Sequence, residues 1–171
     1  MRTNIARFEQ PGRNELHVAG DGAIDAVLDA FQKVLGSGSG YKLRRRIEQC
    51  SILHDDQIAR MKKLGISLSF LMCHVHFWRQ AFQDLLLGPA RAGRLDSCRS
   101  AINGGLRISL HSDYNVTLID PLRCVQNAVL RDMREGGSVL NHLCESRRRR
   151  ASKLLGSTPF GSGILTIFAA A

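Results

Sequence analysis

The sequence contains no CxxC pair, no GxGxxG run and no apolar stretch long enough to cross a bilayer. Its five cysteines (Cys50, Cys73, Cys98, Cys124, Cys144) are odd in number and far apart, which argues against a zinc knuckle or a disulfide scaffold. They read as buried, reduced thiols. Without GxGxxG spacing after it, Gly20-Asp21-Gly22 is not a phosphate loop. Aromatic residues make up only 6% of the chain and none interleaves with its basic run, so a base-stacking nucleic-acid surface is not expected. The opening "MRTNIARFEQPGRNE" lacks the apolar core of a secretion signal, and "GILTIFAAA" is too short to span a membrane. The expected compartment is therefore the cytoplasm, with no membrane partner.

What is present is enough for one domain with its own core: 171 residues, 44% hydrophobic and 23% charged. The net charge of +9 is not spread over a face, because "RRRR" at 147–150 with Lys153 supplies about half of it. Such a run reads as a solvated tail. Apolar periodicity alternates between strand and helix. "ELHVAG" (15–20) reads as a strand, and "AIDAVLDAFQKVL" (23–35) as an amphipathic helix on Ile24, Val27, Leu28, Phe31 and Leu35. "GSGSG" at 36–40 stops it. "LRRRIEQCSI" (43–52) is the second strand. A helix follows over 55–65, with Asp55 and Asp56 at its start and Lys62, Lys63 and Gly65 at its end. "ISLSFLMCHVHF" (66–77) reads as a third strand covered on both sides. "LRISLHSDYNV" (106–116) is the fourth, and Pro121 opens a helix that reaches the glycines at 136–137. The order βαβαβαβα predicts a parallel sheet with right-handed crossovers, either half of an eight-stranded barrel or a small doubly wound sheet.

The fourth strand carries an unusual polar face. Arg107, Ser109, His111 and Asp113 alternate with Leu106, Ile108 and Leu110, and the face ends in metal-capable side chains rather than ordinary solvent-facing ones. Strands that send such residues inward at their C-terminal ends belong to barrels whose chemistry sits at that end. Together, "LHVAGDGAIDAVLDAF", "RRRIEQC", "DDQIARMKKLGISLSFLMCHVHFW", "LGPARAGRLDS" and "GLRISLHSDYNV…DPLRCVQNAVLRDM" resemble the C-terminal half of amidohydrolase family 3, in the metal-dependent amidohydrolase superfamily. Within that family it looks like the N-substituted formamide deformylase group. The likeness runs from about residue 12 to Asn141. It divides the chain into a barrel half, 1–141, and a divergent basic and apolar tail, 142–171.

The resemblance implies an α/β fold, a partial (β/α)8 barrel equivalent to strands five to eight. It implies a divalent metal, usually zinc, held by a His closing strand five, a His closing strand six and an Asp closing strand eight. Here these positions are His17 (in the "HxxGD" context), Gln49 and Asp113. Asp113 is also the implied catalytic proton acceptor, because a metal lowers the pKa of its water and a neighbouring carboxylate can take the proton. All three are expected at one end of the sheet. Two positions depart from the family's "RHRIEH": Arg45 stands for the first His and Gln49 for the last. An amide oxygen is a poor zinc ligand, and catalytic zinc usually has three protein ligands. The expected function is thus a fragment of a metal-dependent amidohydrolase acting on non-peptide carbon–nitrogen bonds. It would bind zinc weakly and be inactive alone, with a small amide or formamide as the family's substrate. Exposed sheet edges of a half barrel invite self-association. His74, His76, Trp78 and His111 are candidate substrate-binding residues, with core or loop roles as the alternative; His17 taken alone is more often a hydrogen-bonded core histidine and Asp113 an N-cap or turn residue, but the matched motifs favour metal ligands at both. The competing reading is a non-catalytic α/β module whose basic tail binds an acidic partner.

Overall fold

The computed structural model describes residues 15–36, 45–136 and 165–167. The expected parallel order is found. Strands β1 (Glu15–Val18), β2 (Arg46–Gln49), β3 (Ser67–Leu71) and β4 (Ile108–His111) lie side by side in sequence order, and each neighbouring pair is parallel. Helix α1 (Asp21–Leu35) joins β1 to β2, and α2 (Asp55–Leu64) joins β2 to β3. Between β3 and β4 come α3 (Cys73–Ala81), a π-helical turn (Phe82–Leu87), α4 (Gly88–Ala92) and α5 (Cys98–Asn103), and α6 (Pro121–Leu130) follows β4. A short strand β5 (Leu165–Ile167) pairs antiparallel with the outer edge of β4. The rest of the tail, including the arginine run, lies outside the described residues.

Register gives the sheet two unlike faces. The rows Leu16–Ile47–Leu68–Ile108 and Val18–Gln49–Phe70–Leu110 are apolar except for Gln49. This face joins Ile24, Leu28 and Phe31 of α1, Ile58, Met61 and Leu64 of α2, and Val125, Ala128 and Val129 of α6 in one buried cluster. Each such aliphatic or aromatic side chain contributes about 1.5–3 kcal/mol when fully buried. The alternate row, His17–Glu48–Ser69–Ser109, is polar throughout, with His111 one level beyond it beside Leu71. The apolar periods of α1 and α2 are therefore core faces, as their 3.6-residue spacing requires.

Local chemistry sets the helix ends. Gly65 closes α2 at φ 69°, a left-handed conformation that glycine adopts without a Cβ clash. Asp120 caps α6 by accepting from the Arg123 backbone N–H at 3.0 Å, and Pro121 takes the first helical position. Where the structure departs from expectation, backbone conformation is the reason. The third strand stops at Leu71, not at 77: Met72 is already right-handed helical and "CHVHF" belongs to α3. The second strand stops at Gln49 because Gln49 and Cys50 both take positive φ, 75° and 43°. Helix α6 stops at Leu130, where Arg131 turns left-handed at φ 55°.

Asp21 binds the C-terminal corners of this sheet together. Its carboxylate accepts from Arg91 Nη2 at 2.8 and 2.9 Å, from the Gly22 N–H at 2.9 Å, and lies 3.2 Å from His54 Nε2. Its backbone carbonyl accepts from Gln57 Nε2 at 2.9 Å. Partial burial alone would push the Asp21 carboxyl up, but the bonds from His54, Arg91 and Gly22 outweigh it and hold the group below the usual carboxylate range. A group depressed in the folded state adds stability above its unfolded pKa, and that stability is lost as pH falls through the folded value. Asp21→Ala should cost about 1–3 kcal/mol in urea unfolding at neutral pH. As pH falls from about 4 through the lower folded-state value, the two proteins should converge. A constant difference down to pH 2 would show that charge plays no part.

Candidate active site

Because the four strands are parallel, their C-terminal ends share one edge, and the candidate residues gather there. His17 is the third residue of β1, exposed, and paired in register with Glu48. Gln49 is the last residue of β2 and is 6% exposed. Asp113 lies two residues past β4, exposed, with φ 53°. Although β3 separates their strands, Gln49 Nε2 donates to Asp113 Oδ2 at 3.2 Å. The positive φ at Gln49 accompanies this departure from the apolar row to which its register assigns it.

Two of the candidate histidines belong to the same neighbourhood. His74, at the start of α3, shares a hydrogen bond with Ser51 Oγ through Nδ1 at 3.2 Å and packs edge-on against Phe82. Burial first, then the charge of His111, pull its pKa down to about 4 against the upward pull of Asp113. It is neutral at pH 7. His111 is half-buried, and desolvation lowers its pKa although Glu48 and Asp113 oppose that. Its Nε2 lies 4.0 Å from Glu48 Oε2. His17 also bears on the His111 charge, which places the two in electrostatic reach. His76 and Trp78 are not brought into this group. His76 turns toward the segment after α6, with Nδ1 3.1 Å from the Asp132 carbonyl, and Trp78 is an exposed residue of α3.

Glu48 is the residue that reading the sequence missed. It pairs with Arg46 and sits on the polar row between His17 and Ser69. The signal was available, since alternation in "RIEQ" places Glu48 opposite Ile47. Arg45, by contrast, precedes β2 at the far end of the sheet, where its guanidinium lies 5.2 Å from the centre of the Phe31 ring. The departure from the "RHRIEH" pattern at that position therefore does not touch this edge.

Among the described residues no group of three His, Cys, Asp or Glu side chains is placed to hold an ion. At the second ligand position an amide N–H, which has no lone pair to offer a cation, faces the Asp113 carboxylate.

The family is nonetheless clear. The amidohydrolase family model matches residues 12–158, past Asn141 where the motif-by-motif likeness ends. The chain is 30% identical over 121 residues to N-substituted formamide deformylase of Arthrobacter pascens, covering 71% of this chain and 22% of that protein. It is 30% identical over 117 residues to Protein LONG AFTER FAR-RED 3 of Arabidopsis thaliana, covering 68% and 20%. Among solved structures it is similar to uncharacterized metal-dependent hydrolases from Pyrococcus furiosus (TM-score 0.54, 26% identity, 67% of this chain and 22% of that one). The enzyme from Pyrococcus horikoshii OT3 gives TM-score 0.55 at 25% identity, covering 68% and 22%. The chain thus spans about a fifth of the length of the relatives it matches, and its fold is a partial (β/α)8 barrel.

The half-buried, neutral His74 gives this edge a pH signature. An imidazole with a folded pKa near 4 and an unfolded value near 6.5 makes the unfolded chain bind more protons between them. Stability should therefore fall as pH drops from about 6.5 to about 4, by on the order of 2 kcal/mol once solvent screening is allowed for. His74→Gln should remove that slope in urea titrations; an unchanged slope would assign it elsewhere. In sequence, connectivity and structural likeness, this chain belongs to the amidohydrolase family.

Proposed function

We propose that this chain is a fragment of a metal-dependent hydrolase that opens carbon–nitrogen bonds other than peptide bonds, with a small amide or formamide as substrate. Family membership and the parallel sheet support the reaction class. In this reading His17 and Asp113 occupy ligand positions for a divalent metal, zinc by the chemistry of the family, and Asp113 is the proton acceptor. His74 and His111 form part of the substrate wall, the neutral His74 able to donate or accept a hydrogen bond without carrying charge. Free thiols at Cys50, Cys73, Cys98 and Cys124 support a reducing compartment, the cytoplasm. The β1 edge has no strand partner among the described residues, while β5 takes the β4 edge. Self-association would therefore use β1.

The hydrogen bond from Gln49 to Asp113 is the observation that carries the second half of the proposal, that the chain alone does not turn over. It satisfies the carboxylate with an amide donor where the family pattern places an imidazole ligand, and no third ligand stands nearby among the described residues. In equilibrium dialysis the purified chain should bind zinc weakly, and Gln49→His should tighten binding because imidazole suits zinc better than an amide oxygen. Neither protein should hydrolyse simple formamides. Stoichiometric tight zinc with robust turnover by the unaltered chain would show that the site is complete within these residues.

A further inference from the structure

We infer that the outer edge of β4 is a strand-binding site: Leu165–Ile167 fills it in cis, and the same segment of a second copy of the chain fills it when the first is withdrawn. The direction of the β4 backbone groups carries this. The Leu68 N–H donates to the Arg107 carbonyl at 3.2 Å, so the peptide groups of Arg107 face β3. Successive residues of a strand turn these groups to opposite sides. Ser109 therefore also faces β3, while the N–H and C=O groups of Ile108 and Leu110 face outward. Both residues are buried, at 2% and 1% exposure, and buried backbone groups need partners. β5 stands where those partners are required, antiparallel to Ile108–Leu110.

The segment matches the edge it takes. Ile167 lies in register with Ile108, Thr166 with Ser109 and Leu165 with Leu110. Apolar, polar, apolar thus meets the same order, and a slip of one residue would break the match. By the alternation above, Ile108↔Ile167 and Leu110↔Leu165 exchange the ladder bonds, and only the Thr166 groups of β5 point away from β4. So short an edge strand is itself blunted against further pairing. A strand closing a (β/α)8 barrel would come to this edge in parallel; β5 is antiparallel and keeps such a strand out.

Length makes the contact exchangeable. Three residue pairs hold it, the lower end of natural strand lengths. Residues 137–164 separate it from Gly136, and the cost of closing a loop rises only slowly with such a length. A strand on a long connector reaches its own edge or that of a neighbour. Reciprocal exchange repeats the same contacts on both chains and closes as a twofold pair. The site runs along the side of the sheet and does not rest on the chemistry proposed for the C-terminal strand ends.

The test is amide hydrogen exchange, read residue by residue by NMR on the full chain. In the unaltered protein the Ile108, Ser109 and Leu110 amides should all exchange slowly. Ile167→Pro removes the N–H opposite Ile108 and should speed Ile108 and Leu110 by at least about tenfold, while Ser109, bonded to β3, stays slow. Thr166→Pro removes an N–H that points away from β4 and should leave all three slow. A synthetic peptide of residues 161–171, standing for the segment of a second copy, should bind the Ile167→Pro chain and restore slow exchange. The unaltered chain, its edge already filled, should bind that peptide at least about tenfold more weakly. Fast Ile108 and Leu110 amides in the unaltered chain, or equal opening by both prolines, would overturn the site. A peptide that leaves the opened edge unprotected would overturn exchange between copies. The unaltered chain decides the cis contact even where a variant does not fold.

Discussion

Parallel strands are joined only by crossovers, so a chain that pairs β1 to β4 in sequence order returns every strand in the same direction. One edge of the sheet then collects all four C-terminal ends, and with them His17, Glu48, Gln49, His74, His111 and Asp113. The same constraint separates the two faces. Helices cover the Ile47–Leu68–Ile108 side, and the His17–Glu48–Ser69–Ser109 side remains polar. In a closed barrel that polar side would be the interior. Asp21 reinforces the edge by joining α1, the start of α2 and α4 through donors from three segments.

At the centre of that edge lies the hydrogen bond on which the proposed function rests. Gln49 and Asp113 satisfy each other across the end of β3. The Gln49 amide fills one of the acceptor sites of the Asp113 carboxylate, which is otherwise exposed. In the proposed function this pair stands where the family places two of its metal ligands.

Much of this was legible in the sequence. The 3.6-residue periods of α1 and α2 and the dipole-matched charges of α2 identified those helices, and alternation in "LRISLH" identified β4 and its polar face. The helix start at Cys73 was not legible, because "ISLSFLMCHVHF" is a continuous apolar run that fits a buried strand or a buried helix equally well. Nor were the ends of β2 and α6. Gln49, Cys50 and Arg131 take left-handed conformations that residues other than glycine seldom adopt, so no turn residue announces them. Partnership was the least visible feature. That Gln49 bonds to Asp113 and that His76 turns away toward Asp132 depend on which elements the sheet brings together.

The central claim is that Gln49 and Asp113 satisfy each other in place of a metal. Crystals of the unaltered chain soaked in zinc and measured at the zinc absorption edge test it directly. The account predicts no anomalous peak between His17 and Asp113, with the Gln49 amide still within hydrogen-bond distance of the Asp113 carboxylate. A fully occupied zinc ligated by His17 and Asp113, with the Gln49 amide displaced, would contradict it.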